Sequence, residues 1–156
     1  MPSRRDAIRM TPEEVRAYLR EARRIVLVTI GADGMPHPVP MNYGLDDQGR
    51  VLITSFAKSQ KVRNVERDPR ASLLVESGET YETLKAVIAF CDVEILRDPQ
   101  EVATAMRLIR ASEDLAGSID GAMNEQVRAS LAKRVVLRCT PYRHVSWDHA
   151  KIAGFY

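Results

Sequence analysis

A short segment beginning at Thr54 gathers hydroxyl, amide and ammonium side chains at the start of a predicted helix. It reads Thr54-Ser55-Phe56-Ala57-Lys58-Ser59-Gln60-Lys61 and follows the apolar run Val51-Leu52-Ile53. The first N–H groups of a helix have no partner within it, and the helix dipole places about half a positive charge there. Together with Ser59 and Lys61, these groups predict a site for an anion such as a phosphate.

Two other interpretations of this segment stay open. Serine is a preferred N-cap residue, so Ser59 could serve only to cap the helix. The basic residues between Lys58 and Arg70 could form a solvated surface, since runs of charge are common on surfaces. Arg67 is interpreted either as an anion contact or as a structural residue.

The elements that position this segment are mostly short strands separated by turns. The apolar periodicity predicts strands over 25–30, 37–45, 51–55, 71–76, 84–96, 135–139 and 142–147. Helices are predicted from Thr11, from Asp98 to about Arg110 and over about 124–133. This pattern indicates a mainly β protein with flanking helices, in which about six antiparallel strands form a barrel.

Two of the predicted strands have unusual patterns. The run from Ile25 to Ile30 is continuously apolar or β-branched, which predicts a strand buried on both faces. The next strand carries Pro36, Pro38 and Pro40, which cannot donate ladder hydrogen bonds. That strand is therefore predicted to be an edge strand or to face a ligand.

Composition limits the classes of function. The 156 residues predict a single domain over 1–156, with a flexible N-terminal arm over 1–9. A formal net charge of +2 does not indicate a nucleic-acid-binding protein. Cys91 and Cys139 are far apart and indicate buried thiols in a reducing cytoplasm. No apolar run is long enough to span a bilayer, so no membrane partner is expected.

The chain has no evident catalytic dyad or metal motif. His37, His144 and His149 are scattered and do not have the spacing of metal ligands. The catalytic residues are therefore unknown from the sequence. A cofactor that carries the chemistry would need only to be bound and oriented.

Several short motifs, taken in order, resemble those of a known family. They are Thr29-Ile30-Gly31, Asp33-Gly34, Pro36-His37, Ser59-Gln60-Lys61, Asn64, Arg67-Asp68-Pro69-Arg70, Gly78, Tyr81, Leu84, Lys133-Arg134-Val135 and Ser146-Trp147-Asp148-His149. The chain resembles the split β-barrel family of pyridoxamine 5′-phosphate oxidase-like proteins. More narrowly, it is similar to the flavin/deazaflavin oxidoreductase group B, which is common in actinobacteria.

The resemblance implies a homodimer with cofactor sites at the subunit interface and a small-molecule substrate. It implies coenzyme F420 or, alternatively, FMN as the cofactor. The implied cofactor-binding residues are Pro38, Val39, Pro40, Met41, Asn42, Thr54, Ser55, Ser59, Gln60, Lys61, Asn64 and Trp147. Tyr81 and Lys85 are implied substrate contacts, although many relatives have Arg-Gly where this chain has Lys85-Ala86.

Two main hypotheses of function follow. The first is an F420-dependent oxidoreductase that transfers a hydride between the deazaflavin and a small conjugated organic substrate, with an FMN-dependent oxidoreductase as its alternative. The second is a protein that binds a flavin, a deazaflavin or a tetrapyrrole without turnover. The basic residues Lys58, Arg63 and Arg67 could form a groove for the acidic tail of F420, which favours the first.

Overall fold

The computed structural model describes residues 3–109 and 125–154, and these contain one seven-stranded antiparallel sheet. The order across the sheet is β2-β1-β5-β6-β7-β4-β3. The strands are β1 (Arg24–Ile30), β2 (Pro36–Asn42), β3 (Gly44–Leu45), β4 (Val51–Phe56), β5 (Arg70–Ser77), β6 (Lys85–Leu96) and β7 (Arg134–Asp148). The predicted split β-barrel is confirmed, but the predicted number of about six strands is too low.

Besides the short 3₁₀ helices Tyr81–Thr83 and His149–Ile152, five α-helices flank the sheet in the described ranges. They are α1 (Arg4–Ala7), α2 (Pro12–Glu21), α3 (Gln60–Arg67), α4 (Pro99–Leu108) and α5 (Glu125–Ala132). The start of α2 is a capping box, because the Thr11 hydroxyl accepts from the Glu14 N–H and the Glu14 carboxylate accepts from the Thr11 N–H. Arg110, the predicted end of α4, lies outside the described residues. The flexibility of the arm over 1–9 stays a prediction.

Two predicted strand boundaries differ from the structure. The strand predicted to continue to Leu45 is interrupted at Tyr43, whose hydroxyl donates to the Leu19 carbonyl oxygen at 2.5 Å. The next residue, Gly44, lies so close to α4 that an added Cβ would be 2.6 Å from the Leu108 carbonyl oxygen. At the other end of the chain, β7 is continuous across Thr140-Pro141, and a bulge opposite Phe90 and Cys91 accommodates the proline.

The prediction that β1 is buried on both faces is wrong. Ile25, Leu27 and Thr29 are fully buried, whereas the alternate residues Val26 and Val28 are only half-buried. The inner face of β1 lies against the main core. The outer face stays partly exposed in the single chain, and a run of β-branched residues does not distinguish these two arrangements.

Two apolar clusters hold the fold together. The larger one fills the barrel and includes Leu27, Ile53, Leu73 and Leu137, all at most 1% exposed. The smaller one joins the outside of β4 and β7 to α4 and α5, with Val102 at its centre. Helix α3 lies against β1 and β6, so the start of α3 is fixed beside the end of β4.

Candidate functional site

Two serines and a lysine come together where β4 leads into α3. The hydroxyls of Ser55 and Ser59 are 2.9 Å apart, and the Lys61 ammonium lies 3.4 Å from the Ser55 hydroxyl. Ser55 is buried at the end of β4, while Ser59 and Lys61 are partly exposed. We call Ser55, Ser59 and Lys61 the serine–lysine cluster. It combines one cation with two groups that can donate hydrogen bonds, which suits a phosphate oxygen.

Ser59 is at the N-cap position of α3 but does not cap the helix with its side chain. Its backbone is extended, as at other N-caps, yet its hydroxyl makes no hydrogen bond to the first turn and pairs with Ser55 instead. The first N–H groups of α3 therefore receive no acceptor from this serine. Such a helix start can bind an anion.

A buried amide fixes α3 to the neighbouring strand. Asn64 is 0% exposed, and its amide donates to the Thr29 hydroxyl at 3.0 Å. Its carbonyl oxygen accepts from Gln60 at 2.8 Å and from Arg67 at 3.3 Å. Because Asn64 is buried and satisfied in this way, it holds α3 in place behind the serine–lysine cluster.

Arg67 has a structural role in this arrangement. Its guanidinium donates to the Ile30 carbonyl oxygen at 2.6 Å and also to Asn64. Of the two interpretations of Arg67 that the sequence left open, these contacts agree with the structural one. Lys58 and Arg63, the other residues of the predicted basic groove, are exposed.

Strand β2 presents its residues to two different sides. It is the first strand in the sheet and pairs only with β1, so the prediction of an edge strand is confirmed. Pro38, Pro40 and Asn42 are exposed on one face, whereas Val39 and Met41 pack against the main core. Alternate residues of a strand point to opposite faces, so these five side chains do not share one surface.

Thr54 is next to the serine–lysine cluster but belongs to the opposite face of β4. It pairs with Val136 and is half-buried, whereas its neighbour Ser55 points into the barrel. The next residue, Phe56, is 54% exposed, and the Arg134 guanidinium lies 4.3 Å from its ring centre. The sequence interpretation did not include Phe56 as a site residue. An exposed aromatic residue directly after a predicted site was the available signal.

The other predicted contacts, Tyr81, Lys85 and Trp147, lie near the C-terminal end of β7. Lys85 forms an ion pair with Asp148 at 3.4 Å, and its ammonium lies 4.8 Å from the centre of the Tyr18 ring. Tyr81 packs edge-on against His149, with ring centres 4.5 Å apart. Trp147 is half-buried and pairs with Ala86 across the sheet.

These residues are distant from the serine–lysine cluster within one chain. Ser55 pairs with Val135 near the start of β7, whereas Lys85 pairs with Asp148 at its end. The structure therefore divides the predicted site residues into two groups at opposite ends of a long strand.

Some buried nitrogen atoms have no partner in the described part of the chain. They are Nδ1 of His37, Nδ1 of His149 and Nε of Arg134. His37 is opposite Thr29 in the pairing of β1 with β2, so it lies on the same sheet face as that threonine. Within residues 3–109 and 125–154, no group of His, Cys, Asp and Glu side chains could hold a metal ion.

The strand order and the antiparallel pairing are those of a split β-barrel protein. Residues 11–147 match the pyridoxamine 5′-phosphate oxidase family. Because this match includes most of the chain, the chain belongs to that family. No helix in the described ranges has the length and apolar character needed to cross a membrane.

Three similar proteins illustrate the family. A 5a,11a-dehydrotetracycline/5a,11a-dehydrooxytetracycline reductase from Streptomyces rimosus is 36% identical over 83 residues, which are 50% of this chain and 58% of that protein. A conserved hypothetical protein from Mycobacterium tuberculosis is 33% identical, with a TM-score of 0.80 over 97% of this chain and 92% of the other. A protein described as an F420 reductase shares the fold at 24% identity, with a TM-score of 0.62 over 86% and 98%.

Proposed function

We propose that this protein is an oxidoreductase that binds coenzyme F420 between two subunits and transfers a hydride between the deazaflavin and a small conjugated organic substrate. The observation that carries this proposal is the serine–lysine cluster at the uncapped start of α3. The likeness to a reductase from Streptomyces rimosus supports the oxidoreductase class. That match spans 58% of the relative's length, so the activity is part of the proposal.

The donor set at the cluster fits the phosphate of such a cofactor. Lys61 supplies the charge, Ser55 and Ser59 supply hydroxyls, and the first turn of α3 supplies backbone N–H groups. Bonds to a charged group stabilise by about 1.5–3 kcal/mol each. Asn64 acts behind these groups by keeping α3 against β1.

The bound deazaflavin would supply the hydride chemistry, and the protein would supply binding, orientation and the exclusion of water. The exposed face of β2, with Pro38, Pro40 and Asn42, is the surface we assign to the flat ring system. A ring needs apolar contact with a few polar groups at its edge. Prolines in an edge strand offer that apolar contact without needing a partner for an N–H.

The outer face of the sheet supports a second subunit. The register places Val28 beside Pro38, Val26 beside Leu74 and Leu74 beside Ile88 on one face, and these residues remain partly or fully exposed in a single chain. An exposed apolar surface of this kind is typical of a protein interface. Because the residues near Trp147 are distant from the cluster within one chain, we propose that the second copy supplies them to the first copy's cofactor.

The first experiment is a titration of the purified protein with F420 and, separately, with FMN, followed by ligand fluorescence. We expect micromolar or tighter binding of F420 and weaker binding of FMN. Lys61→Ala should weaken F420 binding about 10- to 150-fold, the equivalent of one charged hydrogen bond. Arg128→Ala on α5 removes the same charge from an exposed helix and should leave the affinity within twofold.

The outcome of the titration separates the hypotheses. A preference for FMN would assign the protein to the flavin-dependent alternative. Binding of neither cofactor, or an unchanged affinity in Lys61→Ala, would refute the proposed site. If F420 binds but its reduced form is not oxidised by any of a panel of conjugated substrates, including 5a,11a-dehydrotetracycline, the protein is better described as a binding protein.

A charge placed on the apolar face tests the dimer. Val28→Asp should convert a dimer to a monomer in sedimentation equilibrium, because an unpaired carboxylate would be buried at the interface. Ala129→Asp, on the exposed surface of α5, is the matched control and should remain dimeric. If Val28→Asp stays dimeric, the second subunit does not dock on this face.

A further inference from the structure

A groove about 740 Å³ in volume lies between α1, α2, the turn after β3 and the later half of β7. Its volume is in the range typical of small-molecule sites. It contains none of the residues of the serine–lysine cluster and none of the exposed β2 residues assigned above to the cofactor. The groove is therefore a separate feature of the molecule.

The groove has an apolar floor and a cationic rim. Met10, Val15 and Leu19, each at most 7% exposed, form part of its floor. Arg5, Arg9 and Arg16 also line it. No aspartate or glutamate is among its described lining residues.

The arginines are available to a ligand. Arg9 pairs with Asp6 at 2.8 Å and Arg16 with Glu13 at 3.0 Å, but all four side chains are at least 46% exposed. Exposed ion pairs contribute little and are easily exchanged. Arg5 forms no ion pair within the described residues. Guanidinium groups bind carboxylates and other oxyanions with paired hydrogen bonds.

The walls of the groove are held in place by contacts between distant parts of the chain. The Met10 N–H donates to the Ser146 hydroxyl at 3.3 Å, and the Asp148 N–H donates to the Ile8 carbonyl oxygen at 2.8 Å. Lys151 donates to the Arg9 carbonyl oxygen at 2.8 Å. The segment that carries the arginines is thereby attached to β7, and the groove is formed before any ligand binds.

We propose that this groove is a second ligand site, which binds an amphipathic organic anion: a ring system that covers the apolar floor and an acidic group that pairs with the arginines. This inference does not depend on cofactor binding at the serine–lysine cluster.

The probes are 8-anilinonaphthalene-1-sulfonate and its neutral relative N-phenyl-1-naphthylamine, titrated into the full chain without cofactor and followed by fluorescence. The wild-type protein should bind the sulfonate saturably with one site per chain. In the variant Arg5→Gln, Arg9→Gln, Arg16→Gln, the sulfonate affinity should fall at least tenfold, whereas the affinity for the neutral probe should change less than twofold. Circular dichroism should confirm that the variant is folded.

The control variant is Arg23→Gln, Arg24→Gln, Arg128→Gln, which removes the same charge from exposed positions outside the groove. It should bind the sulfonate like the wild type. An equal loss in the control would show that net charge alone attracts the probe and would overturn the proposal. So would the absence of saturable binding, or an equal loss of both probes in the groove variant. If F420 fails to bind while the sulfonate result holds, only the proposed function fails.

Discussion

The buried pair formed by Asn64 and Thr29 offers a sharp test of how α3 is held. Asn64→Leu keeps roughly the same side-chain shape but removes the amide. Gln60 and Arg67 are exposed, so water can replace their lost bonds. Thr29 is 0% exposed, and the variant leaves its hydroxyl without the amide partner. The expected loss is therefore about 1–3 kcal/mol, the usual penalty for one unsatisfied buried polar group.

A double-mutant cycle separates this penalty from a simple packing effect. Thr29→Val alone should also cost about 1–3 kcal/mol, because it leaves the Asn64 amide unpaired. The double variant Thr29→Val, Asn64→Leu replaces both partners by apolar groups of similar shape. Its stability should be close to that of the wild type, or at least clearly above the value expected from adding the two single losses.

The assay is urea unfolding followed by circular dichroism. With a typical urea dependence of about 2 kcal/mol per molar, a loss of about 1–3 kcal/mol shifts the midpoint by roughly 0.5–1.5 M. Arg63→Ala is the control on the exposed side of α3, and its stability should change by less than about 0.5 kcal/mol. If the two single losses simply add in the double variant, the proposed coupling between α3 and β1 is incorrect.

Three further predictions follow from buried, charged and strained residues. Burial raises the pKa of Cys91 to about 12 and also raises the pKa of Cys139. Neither thiol should therefore react with Ellman's reagent at pH 8 until urea unfolds the protein. Rapid labelling of the native protein would contradict this prediction. Hydrogen bonds from Arg70 lower the pKa of Asp68 to about 2, so the stability from this pair should be fully present above pH 3.8 and be lost as the pH falls through about 2. In Arg70→Gln, carboxyl titration by NMR should show the pKa of Asp68 rising toward 3.8. An unchanged pKa would refute the assignment. Gly78 has a φ of 102°, and an added Cβ would lie 2.2 Å from a backbone carbonyl oxygen. Gly78→Ala should therefore lower the free energy of unfolding in urea by roughly 1–3 kcal/mol. An unchanged free energy of unfolding would mean that this turn can rearrange.

The parts of the fold that depend on local sequence were predictable. Thr11, Pro12 and Glu14 carry their capping signal within four consecutive residues, and the structure forms that capping box. The prolines of β2 limit the hydrogen bonds that this strand can make to a neighbouring strand, because a proline has no N–H to donate. Both predictions needed no knowledge of distant partners.

The parts that depend on distant partners were not predictable. The hydrophobic residues Val62 and Val65 indicate the buried side of α3, but the complete burial of Asn64 between them requires Thr29, far away in the chain. The outer face of β1 is apolar in the sequence just as a core face would be. Only the folded structure shows that the outer-face residues Val26 and Val28 stay partly exposed in a single chain.

The same reasoning explains why the sequence grouped residues that the fold separates. The resemblance placed Lys61 and Trp147 in one cofactor site. In a single chain Lys61 lies in α3 beside Ser55, which pairs with the start of β7, whereas Trp147 is near the end of β7. A family motif records which residues meet in the assembled protein, and it does not record which subunit supplies each of them. In the dimer that we propose, the second chain docks on the exposed apolar face that carries Val28 and supplies the Trp147 group to the first chain's cofactor. Loss of the dimer should therefore abolish F420 binding even though Ser55, Ser59 and Lys61 remain intact.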